Sequence, residues 1–186
     1  MYLLKTERLQ LRELTSSDED AQFTLTLVND PAFHRFIGDR GVRSLEDARN
    51  YLRRGPIAMY RDRGFGMYRV ELKDGTAIGQ CGLLKRDGLD DVDIGFAFLP
   101  EYRGQGYAAE AAQAVMQWGK RDLGLTRIVA IATPENGASI RLLDGLGFRR
   151  ERMIRLPGST ETLVLLGWQA GPFPSHTSTY SPCNRS

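Results

Sequence analysis

Between Asp91 and Leu123 the chain reads DVDIGFAFLPEYRGQGYAAEAAQAVMQWGKRDL: a strand, a proline corner, an arginine–glycine turn and a helix in immediate succession. Val92, Ile94, Phe96 and Phe98 fall on one face of the strand and Asp93, Gly95, Ala97 and Leu99 on the other, so it serves two surfaces at once. Pro100 ends the pairing. Beyond Arg103-Gly104-Gln105-Gly106-Tyr107, residues Ala108, Ala111, Ala112, Val115 and Met116 recur at helical spacing. The glycines let the chain turn tightly and bring bare backbone close to a ligand. The expected result is a row of unpaired N–H groups at a helix N-terminus, where free donors and helix dipole together favour an anion such as a pyrophosphate.

The neighbouring segments decide what sheet this strand joins. Gly64–Leu72 and Ala77–Leu84 read as strands joined by a hairpin turn at Asp74-Gly75, and a second turn at Arg86-Asp87-Gly88 leads into the Asp91 strand. Three consecutive strands with tight turns predict an antiparallel meander. Downstream, Arg127–Ala132 is β-branched and nearly continuous, a buried strand expected to pair in parallel with the Asp91 strand by a right-handed crossover through the helix. Gly95 reads either as a weak spot or as a bulge that splays the Asp91 strand from its neighbour.

Toward the N-terminus, alternation of Leu9 and Leu11 with polar residues predicts an edge-type strand over Thr6–Leu14. A polar turn with N-cap candidates (Thr15–Asp20) precedes a helical face of Phe23, Leu27 and Val28, broken by Asn29-Asp30-Pro31. Residues Ala32–Gly41 look irregular, and Ser44-x-x-Asp47 starts a short helix through Arg54. Toward the C-terminus, Thr133–Asn136 opens a helix over Gly137–Leu146 that Gly147 caps, and strands at Arg150–Leu156 and Thr162–Trp168 close the domain. The fold expected is α+β, a single domain over residues 1–168. It has a central, mostly antiparallel sheet of about six to seven strands, splayed near its middle and flanked by about four helices. Residues 169–186, rich in Pro, Ser and Thr, read as a flexible tail, a vector-derived extension or a subunit contact.

At 186 residues the chain can bury a real core as one domain. A net charge of +2, with the basic residues spread along the chain, is too mild to argue for nucleic acid. No apolar run has the length of a membrane span or of a signal-peptide core, so no membrane partner and a cytoplasmic location are expected. Cys81 and Cys183 offer neither a disulfide framework nor metal-ligand spacing, and no metal is expected. Cys81 reads as a small core residue, and His34, close to Phe33 and Phe36, as a packing residue.

Two patterns compete for the arginine–glycine turn. Gly104-x-Gly106-x-x-Ala109 matches a dinucleotide fingerprint, which would suit a nicotinamide-linked oxidoreductase. That fingerprint follows its strand at once and opens a βαβ repeat, whereas here Pro100, Glu101 and Tyr102 intervene after a meander. The alternative is Arg103-x-x-Gly106-x-Ala108 behind Leu99-Pro100-Glu101. Two further segments accompany it: the opening Thr6-Glu7-Arg8-Leu9-x-Leu11-Arg12, and Asn136-x-x-Ser139-x-x-Leu142-x-x-x-Leu146-Gly147-Phe148. Together these resemble the GNAT acyl-CoA N-acyltransferases over residues 6–168, specifically the branch related to the Rim ribosomal-protein N-terminal acetyltransferases.

The resemblance implies an N-acetyltransferase with acetyl-CoA as cosubstrate, moving the acetyl group to a primary amine by direct attack in a ternary complex. Arg103, Gly104, Gln105, Gly106, Tyr107 and Ala108 would hold the pyrophosphate. The backbones of Phe98 and Leu99 would pair with the pantetheine arm in the splay, and Asn136 would hydrogen-bond it. Ser139 would lie near the thioester sulfur as proton donor, since this helix lacks the tyrosine used in many relatives; a serine hydroxyl being a poor acid, a water relay or positional help is expected. Glu71 and Asp93, expected on adjacent central strands, are candidate bases acting through water, and either could equally face solvent or pair with an arginine.

The first helical pair would line the acceptor pocket. The Rim branch suggests a protein N-terminal α-amine; related chains take amino acids, polyamines or antibiotics, and relatives often form homodimers. An α-amine near pKa ~8 costs roughly 1.4 kcal/mol to neutralise at pH 7, a lysine near ~10.4 roughly 5. A module that binds acyl-CoA without turnover remains a separate reading. A Ser-His-Asp hydrolase is disfavoured, because Ser139 sits in Gly-Ala-Ser-Ile-Arg without the second glycine of a nucleophile elbow.

Overall fold

The structure, a computed structural model, describes residues 2–171. Two strands open it, β1 (Tyr2–Lys5) and β2 (Leu9–Glu13), followed by helices α1 (Asp18–Val28), α2 (Pro31–Phe36), α3 (Leu45–Leu52) and α4 (Ala58–Arg63). The meander is β3 (Met67–Leu72), β4 (Ala77–Leu84) and β5 (Asp93–Phe98). Then come α5 (Tyr107–Asp122), β6 (Arg127–Ala132), α6 (Gly137–Gly145), β7 (Arg149–Ile154) and β8 (Leu163–Gln169). The strands form one sheet in the order β1-β2-β3-β4-β5-β6-β8-β7.

Among the described strands β5 and β6 make the one parallel pair. The expected α+β class and antiparallel meander are therefore present, with eight strands rather than six or seven. The additional strand is β1, whose four residues carry too little alternation to register as a pattern.

The two larger of three apolar clusters lie on the sheet's two faces. Leu9, Leu11, Val70, Leu83, Ile94 and Phe98 pack with Ala111, Val115 and Met116 of α5 and Ile140 and Leu143 of α6. On the other side Leu14 meets Ala21 and Leu27 of α1, Phe33 of α2 and Ala48 and Leu52 of α3, with Ala97 and Leu99 of β5 against them. The division of β5 into two served faces thus holds residue by residue.

Three local expectations are corrected. The stretch expected to be irregular contains α2, because the Asp30 side chain caps it by accepting from the Phe33 N–H at 3.1 Å and Pro31 occupies its first turn, where a missing N–H costs nothing. The helix expected to stop at Arg54 continues instead: α3 and α4 are joined by a π-helical turn, Arg53–Ile57, with Pro56 inside it. A wider turn lets the proline ring pass the carbonyl it would meet in an α-helix. Lastly, Gly95 is not a bulge: the β4–β5 register runs unbroken through Gly82↔Gly95.

No described helix is long and apolar enough to cross a membrane, and no group of three or more His, Cys, Asp or Glu among the described residues is placed to hold a metal ion. Cys81 is buried in the larger core. Of the expected tail, Gln169 still belongs to β8, and positions 172–186 lie outside the described residues.

Candidate active site

The splay is real but lies on the other edge of β5. Its pairing with β6 is confined to Asp93↔Val129, with the Val129 N–H donating to the Val92 carbonyl at 2.9 Å. Beyond that point the two strands diverge, and a cavity of about 1410 Å³ opens between them. Ile94–Phe98 and Ala130–Ala132 border it, together with the N-terminal ends of α5 and α6, residues of α2 and of the α3–α4 helix, and Pro157–Ser159.

Sequence explains the α5 end. Gly104 and Gly106 have φ of 72° and 83°, the left-handed region that glycine enters without strain. Gly106 occupies the N-cap position without a side-chain cap. The first helical bond is Glu110 N–H to the Gly106 carbonyl at 3.1 Å, so the N–H groups of Tyr107, Ala108 and Ala109 have no acceptor among the described residues, and all three residues line the cavity. These donors, with the dipole of a 16-residue helix behind them, suit a multiply charged anion.

Other expected cofactor residues are present but partly committed. Arg103 lines the cavity, yet its guanidinium donates to the Phe98 carbonyl at 2.9 Å and pairs with Asp30 at 2.5 Å. The arginine therefore clamps the loop to the cap of α2. Leu99 N–H donates to the Ile78 carbonyl at 2.9 Å, and Leu99 lies in the core with α1–α3 rather than on the cavity wall. Of that expected pair only Phe98 borders the cavity. Gln105 turns away from it as well, donating its amide to the Glu101 carbonyl at 2.7 Å.

Asn136 and Ser139 both line the cavity at the start of α6. The Asn136 Oδ1 accepts from the Ser139 N–H at 3.2 Å, a helix cap. That bond leaves the Asn136 amide nitrogen and the Ser139 hydroxyl without protein partners among the described residues.

The two carboxylates part company. Glu71 and Asp93 lie on β3 and β5 with β4 between them, not on adjacent strands. Glu71 is buried against Arg12 (2.9 Å) and Arg69 (2.7 Å) and does not line the cavity. Asp93 does line it. Its Oδ2 takes the Arg86 Nε at 2.8 Å, while its Oδ1 is buried with no hydrogen-bond partner. Burial raises the Asp93 pKa above the usual carboxylate range, with Arg86 and, less closely, Lys85 pulling it down. A carboxyl held in this way is a stronger base than an ordinary carboxylate.

Local sequence pattern places Arg86 in a turn and Asp30 at a helix break, and shows neither residue's partner. The wall formed by Phe33, Phe36, Tyr51, Arg54 and Met59 comes from segments whose local pattern carries no trace of the cavity.

Comparison with known proteins agrees with this geometry. Residues 8–149 match the Acetyltransferase (GNAT) domain family. The uncharacterized N-acetyltransferase YnaD of Bacillus subtilis is 33% identical over 149 residues, covering 80% of this chain and 83% of its own. A GNAT-family acetyltransferase from Bacillus anthracis has the same fold with a TM-score of 0.73 and 28% identity, over 91% of this chain and 98% of its own. RimL, a ribosomal-protein alpha-N-acetyltransferase solved in complex with coenzyme A, superposes with a TM-score of 0.76 at 20% identity, over 91% of this chain and 98% of its own. A cleft between parted parallel strands, ending on bare helix amides, on a chain that matches the family over most of its length, makes this protein a member of the GNAT acetyltransferase family.

Proposed function

We propose that this chain acetylates a primary amine from acetyl-CoA, by direct attack in a ternary complex, with a protein N-terminal α-amine as acceptor. The observation carrying the proposal is the β5–β6 cleft running into the unpaired N–H groups of Tyr107, Ala108 and Ala109. Its donor set fits the cosubstrate: helix-terminal amides for a diphosphate, and unpaired strand edges with the free Asn136 amide for a pantetheine arm. Bound there, acetyl-CoA supplies an activated thioester carbonyl.

The chain's own residues then divide the work. Asp93, through a water, takes the proton that the amine nitrogen loses as it bonds to the acetyl carbon. The Ser139 hydroxyl protonates the departing thiolate as the C–S bond breaks and is reprotonated through water, while the proton taken by Asp93 returns to solvent and closes the balance. A single carboxylate base matches the modest demand of an α-amine better than that of a lysine. Glu71, tied to two arginines outside the cavity, takes no part.

Thiol release from acetyl-CoA, measured against peptides with free N-termini, the same peptides N-blocked but carrying lysine, and small amines, tests this reading. Turnover is expected with free α-amines. Turnover confined to polyamines, amino acids or antibiotics would overturn the acceptor assignment, and acetyl-CoA binding without turnover of any amine would overturn the enzymatic one.

A further inference from the structure

Thr6 to Arg8 form the turn between β1 and β2, and this turn docks on the first turn of α5. The Glu110 carboxylate accepts the Thr6 hydroxyl at 2.6 Å, the Arg8 N–H at 2.9 Å and the Arg8 Nε at 2.6 Å. Held by that anchor, the Arg8 guanidinium lies over the Tyr107 ring, 4.5 Å from its centroid, and donates Nη1 to the Gln105 carbonyl at 2.9 Å. Its Nη2 is also the nearest atom to the position a Cβ on Gly106 would take, at 3.2 Å.

The direction of that last hydrogen bond matters. In a trans peptide the N–H points opposite to the C=O, and this chain has no cis bond among its described residues. Arg8 and Gln105 do not line the cavity, whereas Gly106, Tyr107 and Ala108 do. Drawing the Gln105 carbonyl toward Arg8 therefore turns the Gly106 N–H away from Arg8; that N–H has no acceptor among the described residues, and Gly106 lines the cavity.

A glycine at φ 83° has a soft backbone and could present either face of that peptide. The geometry points to Arg8 as a positioning residue: from behind the arginine–glycine loop it locks the Gln105–Gly106 peptide with its N–H facing the diphosphate. Glu110 has a part in this too, because its bonds to Thr6 and Arg8 hold the guanidinium in place while Arg8 offsets a carboxylate that would otherwise repel an anion at a helix N-terminus. The inference rests on the diphosphate site proposed above and adds to it the side chain that presets it.

Acetyl-CoA and S-acetyl-pantetheine, which lacks the diphosphate, separate this role from a merely structural one. Arg8→Ala is expected to raise KM for acetyl-CoA by about tenfold, the worth of one well-aligned donor, while leaving kcat, the acceptor KM and kcat/KM for S-acetyl-pantetheine unchanged. Glu110→Gln loosens the anchor and is expected to raise the acetyl-CoA KM several-fold, in the same direction. If Arg8 acted only through its charge, Glu110→Gln would lower that KM instead, and the positioning role would be refuted. Equal losses on both donors in Arg8→Ala would likewise refute it, as would an unchanged preference for acetyl-CoA. A wild-type protein that uses the two donors equally well would refute the diphosphate site itself, whatever Arg8 does.

Discussion

Asp93 shows how one side chain is tuned by conflicting neighbours. Removed from water on a central strand, its carboxyl is disfavoured as an anion; the Arg86 guanidinium at 2.8 Å opposes that effect without cancelling it. The sign of the pH dependence follows. A base must be deprotonated to act, so kcat/KM is expected to rise with pH through the raised pKa of Asp93, placing the acidic limb above the ordinary carboxylate range. Arg86→Gln removes the charge that pulls this pKa down, and a pH–rate profile of that variant is expected to show the limb moved to higher pH; a downward move would contradict the assignment. Asp93→Asn is expected to lower kcat by about a hundredfold. It is expected to leave the melting temperature at neutral pH unchanged or higher, since a carboxyl whose folded pKa is raised costs stability progressively as pH rises from its unfolded pKa through the folded one.

Among the elements, α1 is pinned by polar contacts at its first turn. Its first turn buries Asp20, which accepts from Arg12 at 2.9 and 3.0 Å, from Arg69 at 2.7 Å and from the Thr15 N–H and hydroxyl, both at 2.8 Å. Burial by itself would raise the Asp20 pKa, but these donors outweigh it and hold the carboxyl down at about 2. A depressed carboxylate pKa adds stability that is complete above the unfolded value near ~3.9 and drains away as pH falls toward the folded one. Asp20→Asn leaves two arginines short of a counter-charge and is expected to cost roughly 3 kcal/mol in chemical denaturation at pH 7. Between about pH 4 and pH 2 the variant should lose less further stability than the parent; equal slopes in both proteins would show that Asp20 does not carry the effect.

Local pattern does not show these partnerships, because Arg12–Asp20, Arg12–Glu71 and Arg103–Asp30 each join residues of different elements that meet only in the folded chain. The α5 terminus was legible for the opposite reason: two glycines and an apolar helix stripe within one short stretch determine it. The path of the chain through Pro56 was not, since a proline that ordinarily ends a helix is accommodated here by a π turn.

At the scale of the whole molecule, the sheet is nearly two sheets. One half holds β1 to β5 and the other β6, β8 and β7, and among the described residues their strands pair only at Asp93 and Val129, with the adjacent Val92 carbonyl. What keeps the halves together is the core they share, in which Ile94 and Phe98 from one side and Ile128, Ala130 and Leu166 from the other pack against α5 and α6. Strand edges left open inside a sheet forgo ladder hydrogen bonds, so a ligand that supplies amides there stabilises the native state as well as occupying a site. Coenzyme A at about a hundredfold excess over its Kd should add roughly 2.7 kcal/mol, which for a domain of this size corresponds to a rise of roughly 5–10 °C in melting temperature. Hydrogen exchange locates the gain: protection is expected along β5 beyond Ile94, in β6 and over the first turn of α5, and not in the outer strand β7. A thermal shift whose new protection lies at β7, or anywhere remote from Gly106, would place the ligand outside the cleft and remove the basis for the roles given to Asp93, Ser139 and Arg8.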